Sequence, residues 1–155
     1  MRIKVVWPGK TKDLNIRELQ EYYLKHINRL GRCELVETKA AKGIHERYSK
    51  KILNFEAEEL ERYLEDSYII CLFHKGNEMS SEEMAVFMEN KSVQVPRTMT
   101  FVVGGFLGVA DRLLKRADYL LSLSRMTFSH ELTRVILLEQ IYRSLSIIKG
   151  KKFAK

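Results

Sequence analysis

Short β-branched segments alternate with helical stretches from one end of the chain to the other, and this alternation restricts the fold more tightly than any other feature. Apolar alternation marks strands at Ile3 to Trp7, Cys33 to Glu37, Ser67 to Phe73, Thr98 to Val103 and about Tyr119 to Leu123. Helices fall between them. Asp13 caps one that runs to about Leu30, with Ile16, Leu19, Tyr23, Leu24 and Ile27 as its apolar stripe. A charged helix spans about His45 to Leu64, and Ser80 with Glu83 has the spacing of a capping box ahead of Met84, Phe87 and Met88. A short helix covers Val109 to Arg116, and the last runs from near Ser129 to Ile148. Parallel strands need crossovers, so the pattern predicts an α/β fold with a mostly parallel sheet and flanking helices. Residues 39–44, 90–96 and the tail after Gly150 read as flexible pieces, none with the make-up of a linker, so residues 1–155 are expected to form a single domain.

Composition narrows the setting. With 45% hydrophobic and 30% charged residues, 8 Gly and 2 Pro, the chain has the make-up of a folded domain, and no apolar run approaches a membrane span. Met1 to Trp7 reads as a first strand, not a leader, so a cytoplasmic location is expected. Cys33 and Cys71 sit in apolar strands without CxxC spacing and read as buried thiols; no metal site is expected. The net charge of +7 divides unevenly, as +6 over residues 1–50, −5 over 51–100 and +6 over 101–155. Two basic ends around an acidic middle fit either a polyanion-binding surface or a solubilising one.

Ligands of open α/β sheets bind beyond the carboxyl ends of strands. Two loops have that position. Phe101 to Gly108 runs from a strand through Gly104, Gly105 and Gly108 into a helix, which lets backbone N–H groups approach a ligand. Leu121 to His130 collects hydroxyls, Arg125, His130 and apolar side chains within ten residues, the mixture of a small-molecule pocket. The glycines do not follow GxGxxG, and position 4, where a P-loop ending in Gly9-Lys10-Thr11 needs its first glycine, is Lys4. Lys10 and Lys12 remain phosphate contacts by charge. The last helix, with Leu132, Val135, Ile136, Leu137, Leu138, Ile141, Tyr142, Leu145 and Ile148, is apolar over most of its circumference, which predicts core on one side and a second subunit on the other, a homodimer.

Three ordered motifs carry a resemblance: Val102-Val-Gly-Gly105, Leu121-Ser-Leu-Ser-Arg-Met-Thr-Phe-Ser-His130 and Leu137-Leu-Glu-Gln-Ile-Tyr-Arg-Ser144. They are similar to the Val-Ile-Gly-Gly turn, the Leu-Ser-Leu-Ser-Lys-Met-Thr-Phe-Pro-His loop and the Leu-Leu-Glu-Gln-Ile-Tyr-Arg-Ala helix of the RlmH-type methyltransferases of the SPOUT class. Weaker similarity at Pro8-Gly-Lys-Thr-Lys12 and Ser80-Ser-Glu-Glu83 extends it along the chain. The resemblance implies a homodimeric α/β fold with a deep C-terminal trefoil knot, an exception to the rule against threaded chains. It implies S-adenosyl-L-methionine as cofactor and N3 of a pseudouridine in large-subunit ribosomal RNA as methyl acceptor. Carried over by motif, the cofactor residues are Leu72, Gly104, Leu123, Ser124, Arg125, Met126, Thr127 and Phe128. Arg125 then stabilises charge on the deprotonating base and His130 orients the base or its oxygen. Lys10, Lys12, Arg143, Lys149, Lys151 and Lys152 are the expected RNA contacts, with Phe153 available to stack on a base.

The chain also departs from that family. Its tail reads Gly150-Lys-Lys-Phe-Ala-Lys155, so Ala154 stands where a histidine is usual; Phe73 replaces an aspartate, Asn77 a lysine and Ser129 a proline. A second reading follows from these changes, a catalytically weak or inactive relative that binds RNA or the ribosome as an accessory factor. A third, an unrelated nucleotide-binding module, lacks any standard phosphate motif.

Overall fold

The computed structural model describes residues 1–95 and 97–151. Five strands, β1 (Arg2–Pro8), β2 (Arg32–Thr38), β3 (Ser67–Asn77), β4 (Thr98–Val102) and β5 (Tyr119–Leu121), form one parallel sheet in the order β2-β1-β4-β3-β5. The helices are α1 (Leu14–Leu30), α2 (Ser49–Glu61), α3 (Ser81–Gln94), α4 (Asp111–Arg116) and α5 (His130–Ile148), with a 3-10 turn at Glu46–Tyr48 ahead of α2. Side chains alternate across the sheet. Val5, Trp7, Ile70, Leu72 and Phe101 face α1, α3 and α5, while Val6, Cys71 and Val102 face α2 and α4.

Local signals explain most element ends. Asp13 accepts from the N–H groups of Asn15 and Ile16 at the start of α1, and Ser80 and Glu83 complete their reciprocal capping box at α3. Two readings of the sequence are corrected. Residues 90–94 are not a flexible connector, because α3 continues to Gln94 and stops only at extended Val95, the residue before a proline. Strand β3 runs four residues past Phe73, because Gly76 and Asn77 lie against β5: Asn77 accepts from the Ser122 N–H at 2.9 Å, and a side chain at Gly76 would stand 2.7 Å from the Leu120 backbone.

The breadth of apolar surface on α5 also has a different cause from the one expected. Helix α5 lies between α1 and α3 and covers the sheet, so Leu137, Leu138, Ile141 and Leu145 are all buried within one chain. The buried part of the α5 pattern therefore gives no support to a second subunit.

One residue on that helix is charged and nearly inaccessible. Arg134 is 1% exposed; its guanidinium lies 4.9 Å from the centre of the Trp7 ring and donates to the carbonyls of Pro8 (2.7 Å) and Gly9 (3.2 Å) and to the Thr11 hydroxyl (2.9 Å). The Thr11 hydroxyl in turn donates to the Gln20 amide oxygen, and one turn earlier on α5 Glu131 accepts from the N–H groups of Lys12 (2.6 Å) and Asp13 (3.2 Å). The start of α5 is thereby bolted to the β1–α1 loop. Close by, the buried carboxyl of Glu56 takes an N–H from Ala41, and its second oxygen has no hydrogen-bond partner among the described residues. Burial raises its pKa above the ordinary 4.5, against the lowering effect of the Ala41 hydrogen bond and Arg134.

Arg134→Met should lower the unfolding free energy by about 3 kcal/mol in a urea titration, and Arg134→Lys should recover less than half of that, since an ammonium cannot stack on Trp7 and span three acceptors. For Glu56, ionisation is disfavoured in the fold, so its contribution to stability falls as pH rises from the unfolded value through the raised folded one. Glu56→Gln should accordingly be more stable than the parent at pH 8 and lose that advantage below about pH 4.5 in thermal melts.

Candidate ligand site at the sheet's carboxyl edge

The carboxyl ends of β3, β4 and β5 open into a cavity of about 320 Å³, within the range of small-molecule sites. Its wall has four parts: Leu72, Phe73 and His74 from β3, Val103 to Val109 from the β4–α4 loop, Leu121 to Phe128 without Arg125 from the β5–α5 loop, and His130 and Thr133 from α5.

Each loop is held by its own backbone and hydroxyls. In the β4–α4 loop Gly108 donates to the Gly105 carbonyl at 3.0 Å with φ of +83°, and a Cβ on Gly104 would collide with the Gly108 backbone. Only glycine permits this doubled-back turn, which leaves main-chain groups lining the cavity. In the β5–α5 loop the Ser122 hydroxyl donates to the Ser124 carbonyl at 3.1 Å, Ser124 Oγ accepts from the Met126 N–H at 3.0 Å, and Ser129 Oγ accepts from the Leu132 N–H at 3.3 Å as the cap of α5. These serines fix the loop, and the apolar side chains Leu72, Leu121, Leu123 and Phe128 supply much of the wall.

His130 is the cavity's titratable group of note. Burial lowers its pKa from the ordinary 6.5, Arg134 and Lys12 lower it further, and Glu131 works in the opposite direction. Its ring stands 6.4 Å from that of Phe106, at 86°. The neutral imidazole is therefore favoured at the rim.

Of the eight cofactor residues expected from the sequence, Leu72, Gly104, Leu123, Ser124, Met126, Thr127 and Phe128 line this cavity together. Arg125 does not: its side chain is 91% exposed and pairs with Glu78 at 3.8 Å. Lys10 and Lys12 are exposed in the loop that grips the start of α5. Arg143 lies about three-quarters of the way along α5 on Glu139, at 2.5 Å, and Lys149 and Lys151 are at its far end. At 1.5 Å per residue Lys149 is roughly 28 Å along the helix from His130. Within one chain the two basic ends therefore do not frame a common groove. Lys152 and Phe153 lie outside the described residues.

Sequence reasoning missed Phe73, His74, Phe106 and Thr133 as lining residues, and missed Glu131 and Arg134 as the pair that sets where His130 stands. An arginine set among apolar residues near the start of the last helix was the available signal for the latter. Cys33 and Cys71 face opposite sides of the sheet, burial pushes each thiol up to about 12, and no cluster of three metal-ligating groups occurs among the described residues. No helix of the described residues is long and apolar enough to cross a membrane.

The geometry has counterparts in known proteins. Residues 1–153 match the family described as "Predicted SPOUT methyltransferase". The chain is 37% identical over 159 residues to a ribosomal RNA large subunit methyltransferase H of Carboxydothermus hydrogenoformans, covering 100% of both chains. It is 38% identical over 157 residues to one of Acetivibrio thermocellus, covering 99% of both. The fold resembles that of a probable methylase family protein of Haemophilus influenzae, with a TM-score of 0.61 at 13% identity over 99% of this chain and 70% of the other. It also resembles a Legionella pneumophila structure determined with bound SAM, with a TM-score of 0.51 at 11% identity over 91% and 65%. A parallel sheet that ends in a glycine turn and a serine-pinned loop, matched over its length by these sequences, makes this chain a member of the SPOUT methyltransferase family.

Proposed function

We propose that the chain transfers the methyl group of S-adenosylmethionine to N3 of a pseudouridine in large-subunit ribosomal RNA, acting in the cytoplasm as one domain over residues 1–155. The observation that carries this reading is the cavity in which the glycine turn and the 121–130 loop meet. Its fit to the cofactor rests on the turn at Gly104, which closes only because no side chain there strikes the Gly108 backbone, and on walls that combine apolar side chains with main-chain polar groups. When bound, the cofactor supplies a sulfonium-activated methyl group. Leu72, Leu123 and Phe128 exclude water from it, and the backbones of 103–108 and 121–128 orient it. The neutral His130 holds the base or its oxygen at the rim. Arg125 is the cation that turns from Glu78 toward negative charge on the deprotonating base. Lys10 and Lys12 take RNA phosphates on the same side of the molecule.

A homodimer with a trefoil-knotted C-terminal half completes the proposal. Its support is the outer face of α1 and α5, where exposed Leu19 and Tyr22 adjoin His26, Tyr23 and Tyr142 in a continuous aromatic cluster. A two-fold axis that pairs α5 antiparallel carries the partner's end of α5, with its Lys149 and Lys151, to the His130 end of the first chain. The knot rests on membership of the SPOUT methyltransferase family. The accessory-factor reading is favoured by two departures, Ala154 in place of the usual tail histidine and Phe73 in place of the usual aspartate.

Incubation with labelled S-adenosylmethionine and ribosomes lacking the modification should place label in large-subunit RNA. Cofactor binding without transfer would favour the accessory factor, and binding of neither ligand would sink both. His130→Ala and Arg125→Ala should each slow transfer about 10²-fold; an unchanged rate removes the role in question. The acid limb of the rate should lie below pH 6.5, because the neutral imidazole persists there, and should vanish in His130→Asn. Gly104→Ala should abolish cofactor binding in calorimetry, and Tyr22→Glu should shift sedimentation from dimer to monomer.

A further inference from the structure

We infer that Phe106 is the side chain that seats the acceptor base, by stacking on its face at the mouth of the cavity; the inference rests on the reading of the chain as an RNA methyltransferase. Phe106 lies at the tip of the glycine turn. Val103, Gly104 and Gly105 before it are buried, whereas the Phe106 ring is 71% exposed. The bridge between Gly105 and Gly108 fixes the backbone on both sides of it, so the ring is presented from a rigid turn. Its one aromatic neighbour among the described residues, His130, meets it at 86°, so none of them stacks parallel on it. From the other loop Met126, 75% exposed, lines the same mouth.

Two large apolar side chains left open at a rim call for an occupant, and the charges around them say which kind. Lys10, Lys12 and Arg125 are exposed at this end of the molecule. An apolar protein surface docking here would meet cations it cannot match. A nucleotide offers both halves at once, a flat π face for Phe106 and phosphates for the lysines. A base stacked on Phe106 sits beside His130 and over the cavity, where its reacting edge faces the proposed methyl donor. Stacking tolerates any base, so Phe106 would grip the splayed nucleotide while His130 contributes the hydrogen bond that discriminates.

The test compares Phe106→Leu, which keeps apolar volume without a π face, with Phe106→Trp, which keeps the face. With saturating S-adenosylmethionine and unmodified ribosomes, Phe106→Leu should lower kcat/KM about tenfold or more, and Phe106→Trp should stay near the parent. Cofactor affinity by calorimetry and oligomeric state by sedimentation should be unchanged in both. Oligouridine binding, followed by fluorescence anisotropy, should show the same order, and it keeps the inference testable even if the parent protein transfers no methyl group. Parent-like activity and oligouridine affinity in Phe106→Leu would overturn the inference. So would a loss of cofactor affinity or a change of oligomeric state, which would assign the ring to the cofactor or to a subunit contact.

Discussion

A buried guanidinium holds this structure's working end together. Arg134 projects from a helix otherwise given over to core packing, lies on Trp7 and donates to two backbone carbonyls and a hydroxyl of one loop. A charge so far from water is tolerated only where several acceptors converge on it, and here the acceptors come from the last residue of β1 and the loop that follows it. The result is more than local stability. Because Glu131 binds the next residues of that loop, the first turn of α5 is fixed in both angle and height, and His130 is carried to the rim of the cavity by the same attachment.

The site itself is assembled from two different solutions to one problem. On one side the chain dispenses with side chains, so that Gly104 can lie against Gly108 and leave main-chain groups facing the cavity. On the other, serine hydroxyls tie the β5–α5 loop to itself, freeing its leucine and phenylalanine side chains to form a wall. Neither loop could hold its shape in isolation. They stand at the ends of β4 and β5, on either side of β3, whose extension is paired with β5.

Much of this was legible in the sequence. The alternation of strand and helix, the caps at Asp13 and Ser80, and both cavity loops follow from local chemistry, which the folded chain leaves intact. What was not legible depends on partners distant in the chain. The strand order, with β4 between β1 and β3, and the continuation of β3 through Gly76 and Asn77 are fixed by contacts that no window of residues contains. The apolar helix α5 misled for the same reason: periodicity reports how much of a helix is buried but not whether α1 and α3 or another molecule covers it. Charge counts are limited in the same way: they do not say where the basic ends lie, and within one chain the length of α5 separates Lys149 from the cavity.

The contacts that close the cavity have a temporal consequence. Lys12 meets Glu131 across 119 residues and Pro8 meets Arg134 across 126, so the loop between β1 and α1 must wait for nearly all of the remaining chain before its hydrogen bonds are satisfied. During synthesis, the first half of the protein emerges with these polar groups still facing water, and no partial chain can assemble the site. Loops closed over such separations form slowly, because their entropy is lost before the contacts reward it. Ligand binding is thus withheld from incomplete chains by topology alone, and the site becomes available only as α5 docks.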